Sequence, residues 1–296
     1  MTNQSVIIFG EVLFDCFPDG NVILGGAPFN VAWHLQAFGL SPLFISRIGD
    51  DSYGITIKEA MQNWGMDLRG LQLDLEHPTG TVQVNLINNE PHYEIVENSA
   101  YDFMEFLSLP PLPKNSILYH GTLALRSQAC VETLQKIKTD ISPSVFLDVN
   151  LRTPWWNLKT VELLLKEISW LKLNEEELSL IVPQESNAEN RIKYLLSTFL
   201  LNNITLTQGK AGAISFKPNG DRQQIIPSQT TQIVDTVGAG DAFSSVLILG
   251  IVKGWDTPKT LVRAQEFAGA IVGIRGATIQ DKSFYEYFFE KWDSLV

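Results

Sequence analysis

Short, mainly apolar runs punctuate the chain: SVIIFG (Ser5 to Gly10), PLFISRIG (Pro42 to Gly49), SILYHG (Ser116 to Gly121), VFLDVN (Val145 to Asn150), WLKLN (Trp170 to Asn174) and ITLTQG (Ile204 to Gly209). Runs of this length without polar alternation predict strands buried on both faces. Between them, apolar residues recur at helical spacing. Val31, Leu35 and Phe38 follow i, i+4, i+7; Leu163, Glu167 and Trp170 follow it with a poorer fit; Leu261, Ala264, Ala268 and Ile271 predict a long helix near the C-terminus. Strands alternating with helices predict an α/β fold, a three-layer α/β/α sandwich around a mostly parallel central sheet.

One region breaks this rhythm. In TVQVNLI, Val82, Val84 and Leu86 alternate strictly with Thr81, Gln83 and Asn85. After a turn-like Asn88-Asn89-Glu90-Pro91, Tyr93 and Ile95 alternate with His92 and Glu94. That predicts an antiparallel hairpin with one wet face. The strand-like segment from Val12 to Leu24, punctuated by Pro18, Asp19 and Gly20, is a second piece of the same kind. Residues 12–24 and 79–98 are therefore expected to form a small discontinuous β lid on a single domain spanning 1–296. No internal repeat, low-complexity segment or long linker argues otherwise.

Charge narrows the function classes. The 296 residues carry 22 Lys+Arg against 33 Asp+Glu, a formal charge of −11. That argues against a nucleic-acid or anionic-membrane binder, because affinity there comes from Lys and Arg neutralising phosphates. Any phosphate site must be built locally, against the overall field. Cys16 and Cys130 have neither metal-ligand nor redox spacing, which suits a reducing cytoplasm. The first apolar run lacks a basic region ahead of it and breaks at Gly10-Glu11, so it reads as a strand rather than a signal peptide. No stretch approaches the roughly 18 apolar residues of a membrane span.

Two glycine-containing stretches carry candidate chemistry. In VDTVGAGDAFSSVLILG, Val234 to Gly250, the small residues Gly238, Ala239 and Gly240 precede an apolar helical run. Bare N–H groups at such a helix start, with the positive end of the dipole, can hold a phosphoryl group or a developing oxyanion. Asp241 in the first turn is positioned to take a proton from a nucleophile at the same spot; the plainer alternative is a helix cap. In LGGAPFNVAWHL, Leu24 to Leu35, Gly25 and Gly26 allow close backbone approach and Asn30 offers an amide to hydroxyls. Alone, that stretch reads equally as a glycine turn entering a helix.

Together, GGAPFNVA and DTVGAGD resemble the two signature motifs of the ribokinase-like (PfkB) family of ATP-dependent carbohydrate kinases. The resemblance extends over nearly the whole chain through GEVLFD, RIGDDSYG, DVNLR, NEEE and TQGKAG, in family order and spacing. GEVLFDCFPDG, PTGTVQVNL and DVNLRTPWW look most like bacterial fructokinases. The resemblance implies a ribokinase-like fold that transfers phosphate from ATP to a sugar, fructose first. Asp241 would be the general base, and Gly238, Ala239 and Gly240 the anion hole. Asp15, Gly25, Gly26 and Asn30 would hold the sugar, while Arg152 would face sugar or phosphates. Asn174, Thr207, Gly209 and Gly212 would line the nucleotide site. Glu177 would act on Mg²⁺-bound phosphates through water, and Asp235, opposite Arg275, Gly276 and Ala277, would match a monovalent-cation site for K⁺. A homodimer through the open face of the lid is a further expectation.

Plainer readings stand beside several of these: a turn residue for Asp15, a solvated helix start for Glu175-Glu176-Glu177, a surface ion pair for Arg152. Ala27, where ribokinases carry Lys, and Thr122-Leu123, where they carry a substrate-binding Glu, argue against ribose. Absent are a GxxxxGK[ST] phosphate loop and a GxGxxG opening a helix after the first strand, against a P-loop kinase or a dinucleotide dehydrogenase. His34, His77, His92 and His120 form no metal motif, and the tryptophans, Trp155-Trp156 included, read as core. The rivals are a kinase for another sugar or a nucleoside, and a sugar- or nucleotide-sensing protein without catalysis.

Overall fold

In the computed structural model residues 4–87, 90–227 and 235–293 are described. The first strand, β1 (Ser5–Phe9), shows how the core is organised. Val6 and Ile8 enter one hydrophobic cluster, Ile7 and Phe9 another. Successive side chains of a strand leave opposite faces, so an unbroken apolar run serves two cores at once.

After β1 come β2 (Leu13–Cys16), β3 (Val22–Gly25), α1 (Ala27–Ala37), β4 (Leu43–Gly49), α2 (Ser52–Trp64) and β5 (Leu71–Asp74). The middle of the chain supplies β6 (Gly80–Ile87), β7 (Glu90–Ile95), β8 (Ser116–His120), α3 (Gln128–Ile141), β9 (Ser144–Asp148) and α4 (Leu158–Leu165). Then follow β10 (Trp170–Asn174), α5 (Glu175–Ile181), α6 (Ala188–Thr198), β11 (Asn203–Thr207), β12 (Ala213–Phe216) and β13 (Arg222–Ile225). Three helices close the fold: α7 (Ala239–Lys253), α8 (Thr257–Val272) and α9 (Lys282–Asp293).

The large sheet has nine strands in the order β13-β12-β11-β10-β9-β8-β1-β4-β5. Every pair from β11 to β5 is parallel; β12 and β13 extend the edge antiparallel. Buried residues of α1, α2, α7, α8 and α9 share the cluster of Val6 and Ile8, while those of α3 to α6 share that of Ile7 and Phe9. The expected three-layer sandwich is therefore present, with helices on both faces. Parallel strands all end at the same edge of the sheet, so the residues following β1, β9, β10 and β11 gather there.

The second sheet, β3-β2-β6-β7, is formed by the two segments expected to stand apart. Its first strand alternates as expected, with Val82 and Val84 buried and Gln83 and Asn85 exposed, but β7 does not: Tyr93 is exposed along with His92 and Glu94, because this edge strand is covered on neither face there. The side chain of Leu86 and the Asn88-Asn89 turn lie outside the described residues. Pairing across the sheet puts Asp15, Ile23, Val82 and Ile95 on one face.

One helical pattern is corrected. Leu163, Glu167 and Trp170 do not share a helix face: α4 ends at Leu165, Leu163 is 55 % exposed, and Trp170 begins β10. The buried side of α4 is Val161, Leu164 and Leu165.

Candidate active site

Helix α7 starts at Gly238, whose φ of 79° lies in the left-handed region. A Cβ there would come within 2.4 Å of the Ala277 Cβ, so glycine is required twice over. No side chain caps this helix, which leaves its first turn to whatever approaches. Asp241 stands in that turn, and its Oδ2 accepts a 2.8 Å hydrogen bond from Asn30 Nδ2 on the neighbouring α1. Gly26 enters α1 with φ 110°, close enough to the chain after β1 that a Cβ would lie 2.7 Å from the Glu11 carbonyl oxygen. A Cβ on Gly25 would lie 3.7 Å from Asp15 Oδ2 and 4.0 Å from Asn30 Oδ1. Asp15, Gly25, Gly26, Asn30 and Asp241 thus converge, as the sequence predicts.

The electrostatics of this convergence are unusual. Burial raises Asp241 from 3.8 to about 6, with the Asn30 hydrogen bond opposing and Asp148 reinforcing the rise. Burial likewise raises Asp15 to about 6, opposed by Arg152 and reinforced by Asp235. Glu11, fully enclosed, is raised to about 7 by burial, opposed by its own backbone hydrogen bond and reinforced by Asp241. Arg152 is exposed, and its positive charge is felt at all three carboxyls. The site therefore holds carboxyls on the basic side of their normal range, as a base working near neutrality requires.

Beneath the α7 turn lies a buried polar network that sequence reasoning missed. Lys172 Nζ donates to both oxygens of Asp148, at 3.0 and 2.9 Å. Ser244 Oγ donates to Asp148 Oδ2 at 2.7 Å, and Tyr119 OH donates to the same oxygen at 3.4 Å. Burial opposes the charge on Lys172, but Asp148 outweighs it and holds the ammonium above its ordinary pKa. A Cβ on Gly240 would lie 3.1 Å from Lys172 Nζ, so a positive charge sits directly under the candidate anion hole. The signal was in the sequence: a lone Lys in WLKLN and a lone Asp in VFLDVN are charges inside apolar strands, and buried charges are paired.

The remaining candidates gather further along the same edge. Asn174 ends β10 beside Thr207, which ends β11. Asn174 Oδ1 accepts the Glu177 N–H at 2.8 Å while Glu177 Oε2 accepts the Asn174 N–H at 2.9 Å, a capping box at the start of α5. Glu177 Oε1 also accepts the Leu151 N–H at 3.0 Å, tying the Arg152 loop to α5. Gly209 and Gly212, with φ of 53° and 94°, shape the turn from β11 to β12. Asp235 Oδ1 accepts the Val237 N–H at 3.0 Å and Oδ2 the Gly276 N–H at 3.2 Å, so the two expected sides of a cation site do meet.

As a metal centre, the edge is sparse. Among the described residues, no group of three or more His, Cys, Asp or Glu could hold a metal ion. With both Glu177 oxygens already accepting backbone N–H groups, this carboxylate fits Mg²⁺ that keeps its waters and comes with phosphates. Among the described residues no helix is long and apolar enough to cross a membrane.

Comparisons with known proteins bear on the family and the fold. The family model described as "pfkB family carbohydrate kinase" matches residues 17–283. The chain is 30 % identical over 269 residues to the fructokinase of Klebsiella pneumoniae, covering 84 % of this chain and 85 % of that protein. Its fold is similar to the crystal structure of fructokinase from Vibrio cholerae O395 in fructose-, ADP- and calcium-bound form, with a TM-score of 0.83 and 24 % identity over 97 % of this chain and 100 % of the other. It is also similar to aminoimidazole riboside kinase from Salmonella enterica, complexed with aminoimidazole riboside and an ATP analog, at TM-score 0.81 and 24 % identity over 96 % and 99 % of the chains.

Proposed function

The chain belongs to the PfkB family of carbohydrate kinases, and from that premise we propose that it phosphorylates fructose to fructose 6-phosphate with ATP. The observation that carries this reading is the Asn30–Asp241 hydrogen bond at the uncapped start of α7. It holds a carboxylate of raised pKa where an incoming hydroxyl meets backbone N–H groups. The Asp241 carboxylate takes the proton as the sugar oxygen bonds to the γ-phosphorus and the bond to ADP breaks. The N–H groups around Gly238, Ala239 and Gly240, with Lys172 beneath, take up the charge on the transferring phosphoryl group. Asp15, Gly25, Gly26 and Asn30 grip the other hydroxyls, and Arg152 reaches over them toward the phosphates.

The nucleotide lies along the strand ends toward Asn174, Thr207, Gly209 and Gly212. Four strand spacings separate β1 from β11, about 19 Å, a span that suits an ATP with its phosphates toward Asp241. Mg²⁺, when bound with ATP, neutralises phosphate charge; Glu177 would hold its waters. Asp235 with the Gly276 turn would hold a monovalent cation such as K⁺. The small sheet acts as a lid on one domain, its Asp15 face turned to the sugar, excluding water while ATP is activated. Val22, 41 % exposed on the opposite face of this sheet, supports pairing with a second copy.

ADP release measured against a panel of free sugars and nucleosides tests the reading. Fructose is expected to give the highest kcat/KM, with ribose and adenosine poor. Ribose or a nucleoside winning by tenfold, about 1.4 kcal/mol in transition-state binding, overturns fructose but not the kinase. A site retained only for sensing would bind sugar and release no ADP.

A further inference from the structure

We propose that the sugar pocket has a polar end wall, made by the Glu11 carboxyl, the Tyr101 hydroxyl and the Arg126 guanidinium, that recognises substrate hydroxyls other than the one phosphorylated. The proposal rests on the sugar-kinase reading and names residues that decide among its substrates. Glu11 is 3 % exposed, Tyr101 0 %, and the Arg126 side chain 6 %. Glu11 Oε2, Tyr101 OH and Arg126 Nη1 are all buried without a hydrogen-bond partner among the described residues. So is Asn30 Oδ1, the other end of the amide that holds Asp241.

The residues that carry these atoms lie in one neighbourhood. The Arg126 Cζ lies 5.1 Å from the centre of the Tyr101 ring. A Cβ on Gly80 would lie 2.5 Å from that ring and 3.0 Å from the Val12 carbonyl oxygen, which puts Tyr101 beside the segment carrying Glu11. Glu11 feels the charges of both Arg126 and Asp241. The guanidinium is fixed from behind: Nε and Nη2 donate to Asp102 at 2.7 Å, Nη2 also donates to the Val96 carbonyl at 2.7 Å, and the Trp155 ring lies 4.7 Å from Cζ. Nη1 is therefore held in place by contacts the ligand does not supply.

Buried polar atoms are ordinarily paired, and an unpaired set of mixed kinds selects its ligand. Arg126 can only donate, Tyr101 can do either, and ionised Glu11 can only accept. A hydroxyl matches all three because it donates and accepts. Carboxyls (Glu11, Asp15, Asp241) and guanidiniums (Arg126, Arg152) act at the same place, so a charged substituent of either sign meets repulsion as well as attraction, which a neutral hydroxyl avoids. The wall thus suits a neutral polyhydroxy carbon chain and penalises an apolar or flat aglycone, which would leave its atoms unpaired.

Tyr101→Phe keeps the ring under Arg126 and removes only the hydroxyl; Glu11→Gln keeps the shape and removes the charge. Both variants and the wild type are to be assayed with the best sugar of the panel and its monodeoxy analogues, alongside thermal melting. The expected result for Tyr101→Phe is a KM for the parent sugar raised about five- to twentyfold with kcat within about threefold. For one deoxy analogue the wild type and this variant should have the same KM, and Glu11→Gln should erase discrimination of the same or the adjacent position. If both variants melt lower but treat every sugar as the wild type does, the three atoms serve folding and the end wall is overturned. A wild type that binds and phosphorylates no sugar overturns the kinase reading as well.

Discussion

At Asp241 two demands meet in one carboxyl. As the proposed base it must be ionised to accept a proton, yet burial pushes it up to about 6. The acid limb of kcat/KM should therefore fall with an apparent pKa near 6 rather than near 4, read from a pH–rate profile. Asp241→Asn, which keeps the shape facing Asn30, should lower kcat by about 10²–10⁴ while calorimetric sugar binding persists; near-wild-type turnover would reduce Asp241 to a helix residue. Stability moves the opposite way. A carboxyl whose folded pKa exceeds its unfolded value binds more protons when native between about pH 4 and 6, so stability falls as pH rises through that window and stays lowered above it. At pH 8 the Asn variant should accordingly be more stable than the wild type, on the order of 2 kcal/mol, and at pH 3 it should gain nothing; equal melting curves at both pH values would refute the raised pKa.

At the scale of elements, the Asp148 carboxylate is the junction. It joins β9 to β10 through Lys172, to α7 through Ser244 and to β8 through Tyr119. Lys172→Met should cost about 3–5 kcal/mol by leaving Asp148 buried without its cation, and adding Asp148→Asn should recover much of that in chemical denaturation. A double variant no more stable than the single one would show that the pair is not the junction. This scale also marks what the sequence made legible. β1, β8, β9, β10 and β11 were readable because burial on both faces leaves unbroken apolar runs. β5 and β13 were not: each is four residues at a sheet edge with exposed positions, so neither leaves such a run. α2 is legible only as part of RIGDDSYG, and its one local signal is the Asp51 cap, which accepts the Gly54 N–H at 2.8 Å. The site's motifs were visible one by one, but the contact between Asn30 and Asp241 spans 211 positions and no local pattern encodes it. The proposed end wall was less visible still, since Glu11 follows β1, Arg126 follows its parallel neighbour β8, and Tyr101 packs against Gly80 at the start of β6.

For the molecule as a whole, the formal charge of −11 means that ATP must be admitted against the average field, through Lys172, Arg152 and the α7 dipole. The proposed lid role assigns substrate entry and closure to the small sheet, whose connectivity sets its place in time as well as in space. β2 and β6 lie side by side in parallel, with Leu13 opposite Gly80, although about sixty residues containing α1, β4, α2 and β5 run between them. A pairing of that span becomes affordable only after the intervening βα units have docked on β1, because loop closure must precede the reward of non-local contacts. The small sheet should therefore assemble late and open early, as a unit of lower stability than the layers beneath it. Native-state hydrogen exchange should find the amides of β6 and β7 opening at a free energy below the global value, while those of β1, β8 and β9 exchange only on complete unfolding. Equal protection of both sheets would mean that the part proposed to move for each turnover is as firmly held as the platform beneath it.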